Sequence, residues 1–229
     1  MDVEQKVPIA VFDLDGTLVD GQSGSLISLY LLHQKVVKLS GAARLVWWGT
    51  RYALHLPQRQ SEPREVILKA MNRSLPDDIR DVMHDFHDEV IIPLYRPEAL
   101  PEIQRRKEEG NVTLLASATF CEVAERAAEY LGMDGYIATE MERDVTGAYT
   151  GQVEGEVTEG KEKLNAVVRW ADEHFGAGNW YIAYAYGDHI SDLSLLAIAR
   201  HPNAVCPSYL MKLAAMRHNF TVLSWGTSS

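Results

Sequence analysis

The chain has 229 residues and a formal charge of -10 at pH 7. That charge argues against a nucleic-acid partner, because a phosphate backbone needs a basic footprint. Hydrophobic residues make up 46% and charged residues 24%, so a core is expected without disulfides or a structural metal. An acidic protein can still bind phosphate where a divalent cation and a few local donors reverse the sign inside a site.

Cys121 and Cys206 are the only cysteines and read as small core or loop residues in a reducing compartment. The first six residues are polar and run straight into an apolar strand, unlike a signal peptide. The most apolar stretch, residues 26–56, is interrupted by His33, Lys35, Lys38, Arg44 and Arg51, so no span long enough to cross a bilayer is expected. The expected location is the cytoplasm. Oligomeric state is not legible.

Residues 7–12 (VPIAVF) form a short apolar run ending in Asp-Leu-Asp-Gly-Thr, the pattern of a buried strand followed by a loop. From residue 23 to 95 no strand pattern follows. Several amphipathic helical segments succeed one another there, punctuated by Pro57, Pro63 and Pro76. Residues 97–109 then read as a helix opening on proline and stopping at Gly110, and 112–116 as a second strand. Residues 120–131 predict a helix ending at Gly132, and 140–155, rich in glycine and threonine, a β-hairpin. Leu164, Val167, Val168, Ala171 and Phe175 share one helix face before Gly176. Strands are expected again at 181–186 and 204–206, with a weaker one at 220–223. The alternation predicts an α/β fold: a Rossmann-like, mostly parallel sheet with helices on both faces. Residues 1–20 and 96–229 would form this core, and 21–95 an inserted all-helical cap.

Open α/β sheets bind ligands beyond the carboxyl ends of their strands. There the sequence places Asp13 and Asp15, Ser117, Asp188 and Asp192, with Lys161 and Lys163 at a helix start before the 181–186 strand. Several carboxylates do not sit together ionised without a cation, so the cluster predicts Mg²⁺. Asp13 and Asp188, with the backbone carbonyl of Asp15, would form the protein's share of the metal site. Asp13 is then placed to attack phosphorus, Asp15 to act as general acid and base, and Ser117 to hold phosphoryl oxygens.

Bland readings stand beside these. Asp13, Asp15 and Asp188 are also turn formers, Ser117 suits an N-cap for the helix near residue 120, and Asp192 suits a cap for 193–199. His189 reads as an exposed loop residue. His84 and His87, three apart, imitate a metal pair but lack an evident third ligand. Trp47, Trp48 and Tyr52 read as cap packing.

Phe-Asp-Leu-Asp-Gly-Thr, Ser117, a lysine near 163 and Gly-Asp-His-Ile-Ser-Asp resemble, in order, the four signatures of the haloacid dehalogenase superfamily. The helical insertion and the Thr-Gly-Ala-Tyr-Thr-Gly hairpin resemble its phosphoserine-phosphatase-like branch. The resemblance implies a Mg²⁺-dependent phosphomonoesterase acting on a small phosphorylated metabolite through a phosphoaspartate on Asp13. It implies Asp15 as acid/base, Thr17 as a supporting turn residue, Ser117 as phosphate ligand, Asp188 as metal ligand, and Asp192 as orienting metal water or the lysine. Spacing from Gly160 favours Lys163 in the branch and Lys161 elsewhere in the superfamily. Two alternatives remain: a receiver-like phospho-acceptor switch, and a phosphotransferase to an alcohol. Phosphoserine phosphatases carry a glutamate nine residues after the nucleophile, where this chain has Gln22. Free phosphoserine is therefore expected to be a poor substrate. Arg44, Arg51, Arg59 and Arg64 are equivalent by spacing as partners for a substrate carboxylate.

Overall fold

The computed structural model describes residues 6–35, 61–74 and 79–227. Trp47, Trp48, Tyr52, Arg44, Arg51 and Arg59 lie outside these residues. Strand β1 (Val7–Phe12) alternates its side chains between two apolar layers. Ala10 and Phe12 join one buried cluster, and Ile9 and Val11 the other. A strand apolar on both faces must be covered on both, and that requirement organises the described chain.

Helix α1 (Ser23–His33) follows β1, then α2 (Glu62–Ser74) and α3 (Ile79–Phe86). A π-turn (His87–Ile91) and a 3₁₀ turn (Ile92–Leu94) lead to α4 (Ala99–Glu108) and β2 (Val112–Phe120). Next come α5 (Cys121–Leu131), β3 (Gly135–Thr139) and the antiparallel pair β4 (Met141–Arg143) and β5 (Tyr149–Val153). The chain continues through α6 (Lys161–Phe175), β6 (Trp180–Gly187), a 3₁₀ turn (Ile190–Asp192) and the short α7 (Leu193–Leu196). Strand β7 (His201–Val205), α8 (Tyr209–His218) and β8 (Thr221–Leu223) complete it. The six-stranded sheet has the order β3-β2-β1-β6-β7-β8, with parallel neighbours throughout. Side chains of α4 and α5 cover one face and those of α6, α7 and α8 the other. The expected Rossmann-like α/β class is therefore observed.

Two local expectations change. The second strand runs on to Phe120 and carries Ser117 within it. Strand β3, a half-buried edge strand of five residues, is too short to show a period in sequence.

The two chain segments linking the sheet to α1–α3 lie side by side. Val19 bridges Tyr95 in antiparallel fashion, Asp20 N donates to Leu94 O at 2.9 Å, and Arg96 N donates to Leu18 O at 2.9 Å. The inserted helices are also tied to the sheet's own elements. Asn72 Nδ2 donates to Tyr149 O at 2.6 Å, Arg80 pairs with Glu125 at 2.8 Å, and Asp88 pairs with Arg126 at 2.6 Å.

His84 and His87 do not form a metal pair. His84 faces Glu125, whereas the buried His87 ring lies between Asp88 Oδ1 (2.8 Å from Nδ1) and the Tyr95 hydroxyl (3.0 Å from Nε2). The neutral ring satisfies both, with Nδ1–H donating to Asp88 and Nε2 accepting from Tyr95. Burial holds the His87 imidazole below its ordinary pKa, against the opposing pull of Asp88. The unfolded chain, with histidine near about 6.5, thus binds the proton more readily than the folded one. Stability from this ring should be present at pH 7.5 and fall as pH drops below about 6.5. Thermal melts at pH 7.5 and 5.5 check this: the wild type should lose more Tm across the interval than His87→Gln, and equal losses would refute it.

Candidate active site

The carboxyl ends of β1, β2 and β6 meet where the parallel register places Phe12 beside both Leu115 and Tyr186. Asp13 leaves β1 with its backbone N donating to Tyr186 O at 3.0 Å. The residue is 5% exposed. Lys163, from the first turn of α6, is buried against it, with Nζ 2.7 Å from Asp13 Oδ1 and 2.6 Å from Asp192 Oδ1. Thr17 Oγ1 donates to Asp13 Oδ2 at 3.3 Å. Burial opposes the Lys163 charge, but Asp13 and Asp192 outweigh it and hold the ammonium form. Burial likewise pushes the Asp13 carboxyl upward, with Lys163 pulling against it.

Lys161 is exposed at the start of α6. The one-turn geometry of the helix explains the difference: two residues apart, the side chains point in well-separated directions, and only Lys163 turns to the sheet edge. Lys161 is thus not brought to the carboxylates.

Asp188, after β6, approaches the β1 loop through a gap left by Gly16. A Cβ there would stand 2.3 Å from Asp188 Oδ2, and the Gly16 φ is +76°. Gly187 makes the same concession to Asp192, whose Cβ would lie 2.7 Å from a Cβ at 187. One carboxylate oxygen from each of Asp13, Asp188 and Asp192 falls within 4.8 Å of the others. Asp188 Oδ1 is buried with no hydrogen-bond partner, and burial, with Asp192 adding to it, pushes this carboxyl up to about 7. An orphaned buried oxygen in an all-carboxylate cluster is the donor chemistry of a hard divalent cation, so these residues fit Mg²⁺.

Asp15 is in a different setting. Its carboxylate does not join that cluster; it accepts from Ser23 N at 2.8 Å and Ser23 Oγ at 2.7 Å, at the start of α1. Ser23 Oγ also lies 2.8 Å from Thr119 Oγ1, and Thr119 N donates to Ser117 Oγ at 3.2 Å. Burial raises the Asp15 carboxyl, while Ser23 opposes the rise. Ser117 is buried in β2 and is not a helix cap, because α5 starts at Cys121 with Phe120 at its N-cap. Asp192 makes no side-chain cap to α7. His189 is half-buried, not exposed: it caps the 3₁₀ turn through Ser191 and lines the cavity. The half-buried Cys121 thiol is pushed up by burial, the opposite of a reactive thiolate.

Asp13, Asp15, Ser117, Lys163, Asp188, Asp192 and Gln22 line one cavity of about 800 Å³. Ser23, Thr119 and Arg96 were not legible beforehand. Arg96 is buried, with Nη2 2.8 Å from Asp20 Oδ1 and 3.3 Å from Gly16 O, and Nη1 donating to Gly226 O at 3.1 Å. It clamps the loop carrying both aspartates. A small hydroxyl eight residues past Asp15 has no distinctive spacing, and Arg96 in an Arg-Pro dipeptide reads only as a helix entry.

The family model for haloacid dehalogenase-like hydrolases matches residues 10–197. The chain belongs to that family. A histidinol-phosphatase of Neisseria meningitidis is 25% identical over 95% of this chain and 98% of its own length. A crystal structure of a Bordetella pertussis protein of unknown function superposes with a TM-score of 0.85 at 25% identity, covering 96% of this chain and 99% of that one. A probable phosphoserine phosphatase from Vibrio cholerae shares the fold, with a TM-score of 0.67 and 18% identity over 97% of this chain and 62% of that one. Among the described residues, no helix is long and apolar enough to cross a membrane.

The raised Asp188 carboxyl sets a sign for metal binding by this hydrolase. Without a cation the folded state holds a proton that the unfolded state releases near pH 4, so stability should decline as pH rises from about 4 to 7. Mg²⁺ should therefore raise Tm more at pH 7.5 than at 5.5, and at a hundredfold excess over Kd the stabilisation at pH 7.5 corresponds to about 2.7 kcal/mol. Differential scanning fluorimetry checks it. Asp188→Asn should lose the shift, and a wild-type Tm indifferent to Mg²⁺ at pH 7.5 would overturn the assignment.

Proposed function

We propose that this hydrolase is a Mg²⁺-dependent phosphomonoesterase acting on a small phosphorylated metabolite through a phosphoaspartate on Asp13. The observation that carries the reading is the division of labour between the two aspartates. Asp13 lies against Lys163 and near Asp188, the environment of a group that faces phosphate beside a cation. Asp15 is held apart by Ser23 with its proton affinity raised, the environment of an acid/base. The phosphatase names of its relatives agree with this reading.

In the proposed reaction an Asp13 carboxylate oxygen attacks phosphorus while the bond to the leaving oxygen breaks, and Asp15 gives that oxygen its proton. Asp15 then takes a proton from the water that attacks the phosphoaspartate. Inorganic phosphate leaves and the Asp13 carboxylate is regenerated. Lys163 keeps Asp13 oriented and offsets the negative charge at the phosphoryl group, and Ser117 donates to a phosphoryl oxygen. Asp13 and Asp188, with the Asp15 backbone carbonyl, would hold Mg²⁺, which supplies charge neutralisation to the phosphate when bound. Asp192 anchors Lys163 through the second of its two ion pairs. The described helices α1 and α2 of the insertion line the cavity and would serve as the cap that closes over the site and excludes water. A receiver-like switch needs neither the helical insertion nor Asp15, and a hydrolase family match does not favour it.

Asp13→Asn should abolish turnover of an aryl phosphate with Mg²⁺ while leaving the circular dichroism spectrum and the fold intact. Near wild-type rates in that variant would refute the mechanism. Ser23→Ala tests the acid/base separately. The hydroxyl that holds Asp15 down is removed, so the carboxyl rises further and the pH–rate profile should move to higher pH. A lower rate with an unmoved profile would limit Ser23 to packing.

A further inference from the structure

Helix α1 presents two distinct stripes. Ser23, Ile27 and Leu31 are buried in the molecule. Ser25, Ser28, Leu29 and Leu32, at positions i, i+3, i+4 and i+7, instead line the cavity that holds the carboxylates. Leu29 is 64% exposed, and what sets it apart from other exposed apolar side chains is its place on the lining of this cavity. Ile67 of α2 and Phe120 at the end of β2 line the same cavity. The polar groups on this wall include one cation, Arg64, and no carboxylate among the described residues. Ser28 Oγ donates to Gly24 O within its own helix at 2.8 Å, and Arg64 Nε donates to Ala118 O at 2.9 Å. Gln22 is neutral, and Asp20 is paired with Arg96 and does not line the cavity. Among the described lining residues outside the catalytic aspartates, Glu159 is the one carboxylate, and it belongs to the loop before α6 on the sheet side.

Resting on the phosphatase reading above, we propose that the substrate is a phosphate monoester whose organic group is a largely apolar chain or ring without a cationic group. Its phosphate faces Asp13 and Lys163, and its carbon body lies along the Ser25–Leu29–Leu32 stripe against Ile67 and Phe120. From residue 25 to 32 the stripe runs for about 10 Å, room for several carbons beyond the ester oxygen. An ammonium head group lying along that stripe would be stripped of water with no carboxylate beside it among the described residues. An apolar body gains from each methylene removed from water.

The experiment measures kcat/KM, with Mg²⁺, for ethyl, butyl and hexyl phosphate, for phosphoserine, and for a generic aryl phosphate. The expected result is a rise of roughly fourfold per methylene from ethyl to hexyl, with phosphoserine at or below ethyl phosphate. Leu29→Gln should lower hexyl phosphate turnover more than ethyl phosphate turnover and so flatten the series. Leu32→Gln provides the same readout should Leu29→Gln fail to fold. Turnover that is independent of chain length, or highest for phosphoserine, overturns the inference and leaves the phosphatase reading standing. No turnover of any ester, the aryl phosphate included, overturns the phosphatase reading and the inference with it.

Discussion

Three carboxylates from two different strand ends share a small volume at the sheet edge, and one buried ammonium group joins two of them. Lys163 lies 2.7 Å from Asp13 and 2.6 Å from Asp192, with Asp188 close by. A buried charge without its partner is costly, by about 3–5 kcal/mol when a single member is removed. The local architecture answers that constraint. Helix α6 must begin where its third residue reaches the edge, Gly16 and Gly187 must lack side chains so that the acids can approach, and β1 must sit between β2 and β6 in parallel register. The residual imbalance, concentrated in the unpartnered Asp188 oxygen, is what a hard cation would complete.

The second aspartate escapes this cluster because of how the chain leaves β1. Asp13 still follows the strand's hydrogen bonding to β6, whereas Asp15 has entered the turn that brings Val19 back beside it. The turn hands the Asp15 carboxylate to Ser23, the first residue of α1. The inserted helices are thereby coupled to the proposed chemistry through one side chain. Ser23 also reaches Thr119, and Thr119 reaches Ser117, so one hydrogen-bonded chain runs from the inserted segment across the ends of β1 and β2. Arg96 closes the same junction from the other linker, by gripping Asp20 and the Gly16 carbonyl. Movement of the helices relative to the sheet would have to pass through these contacts.

Membership of the haloacid dehalogenase-like hydrolases accounts for the catalytic edge, which is built from residues near strand ends. It says little about the opposite wall of the cavity, because substrate choice resides in side chains that the fold leaves free to vary. The stripe of α1 that faces the cavity is where this chain states its own preference. Its leucines and hydrogen-bonded serine make an apolar wall that offers a substrate ammonium group no carboxylate among the described residues.

Much of this was legible in the sequence. Residues 7–12, apolar at every position, determined a strand buried on both faces, and alternating strand and helix signals determined a parallel α/β sheet, since those patterns arise from local periodicity. Asp13, Asp15, Ser117, Asp188 and Asp192 could be named because each lies near the carboxyl end of a strand in the sequence pattern, and the sheet brings such positions to one edge; Ser117 proved to lie within β2 rather than after it. What periodicity cannot carry is distance between segments. Spacing from Gly160 in the resembling branch favoured Lys163 over Lys161, but only the docking of α6, which buries one and exposes the other, decides between them. Ser23 and Arg96 have ordinary neighbours in sequence and acquire partners only when the linkers pair. The helical register of α1 was unreadable because its apolar residues, Leu26, Ile27, Leu29, Tyr30, Leu31 and Leu32, are spread round the helix rather than gathered on one face. Only packing against Phe86 and Ile91 on one side, and open cavity on the other, separates the stripe that supports the fold from the stripe that faces a ligand.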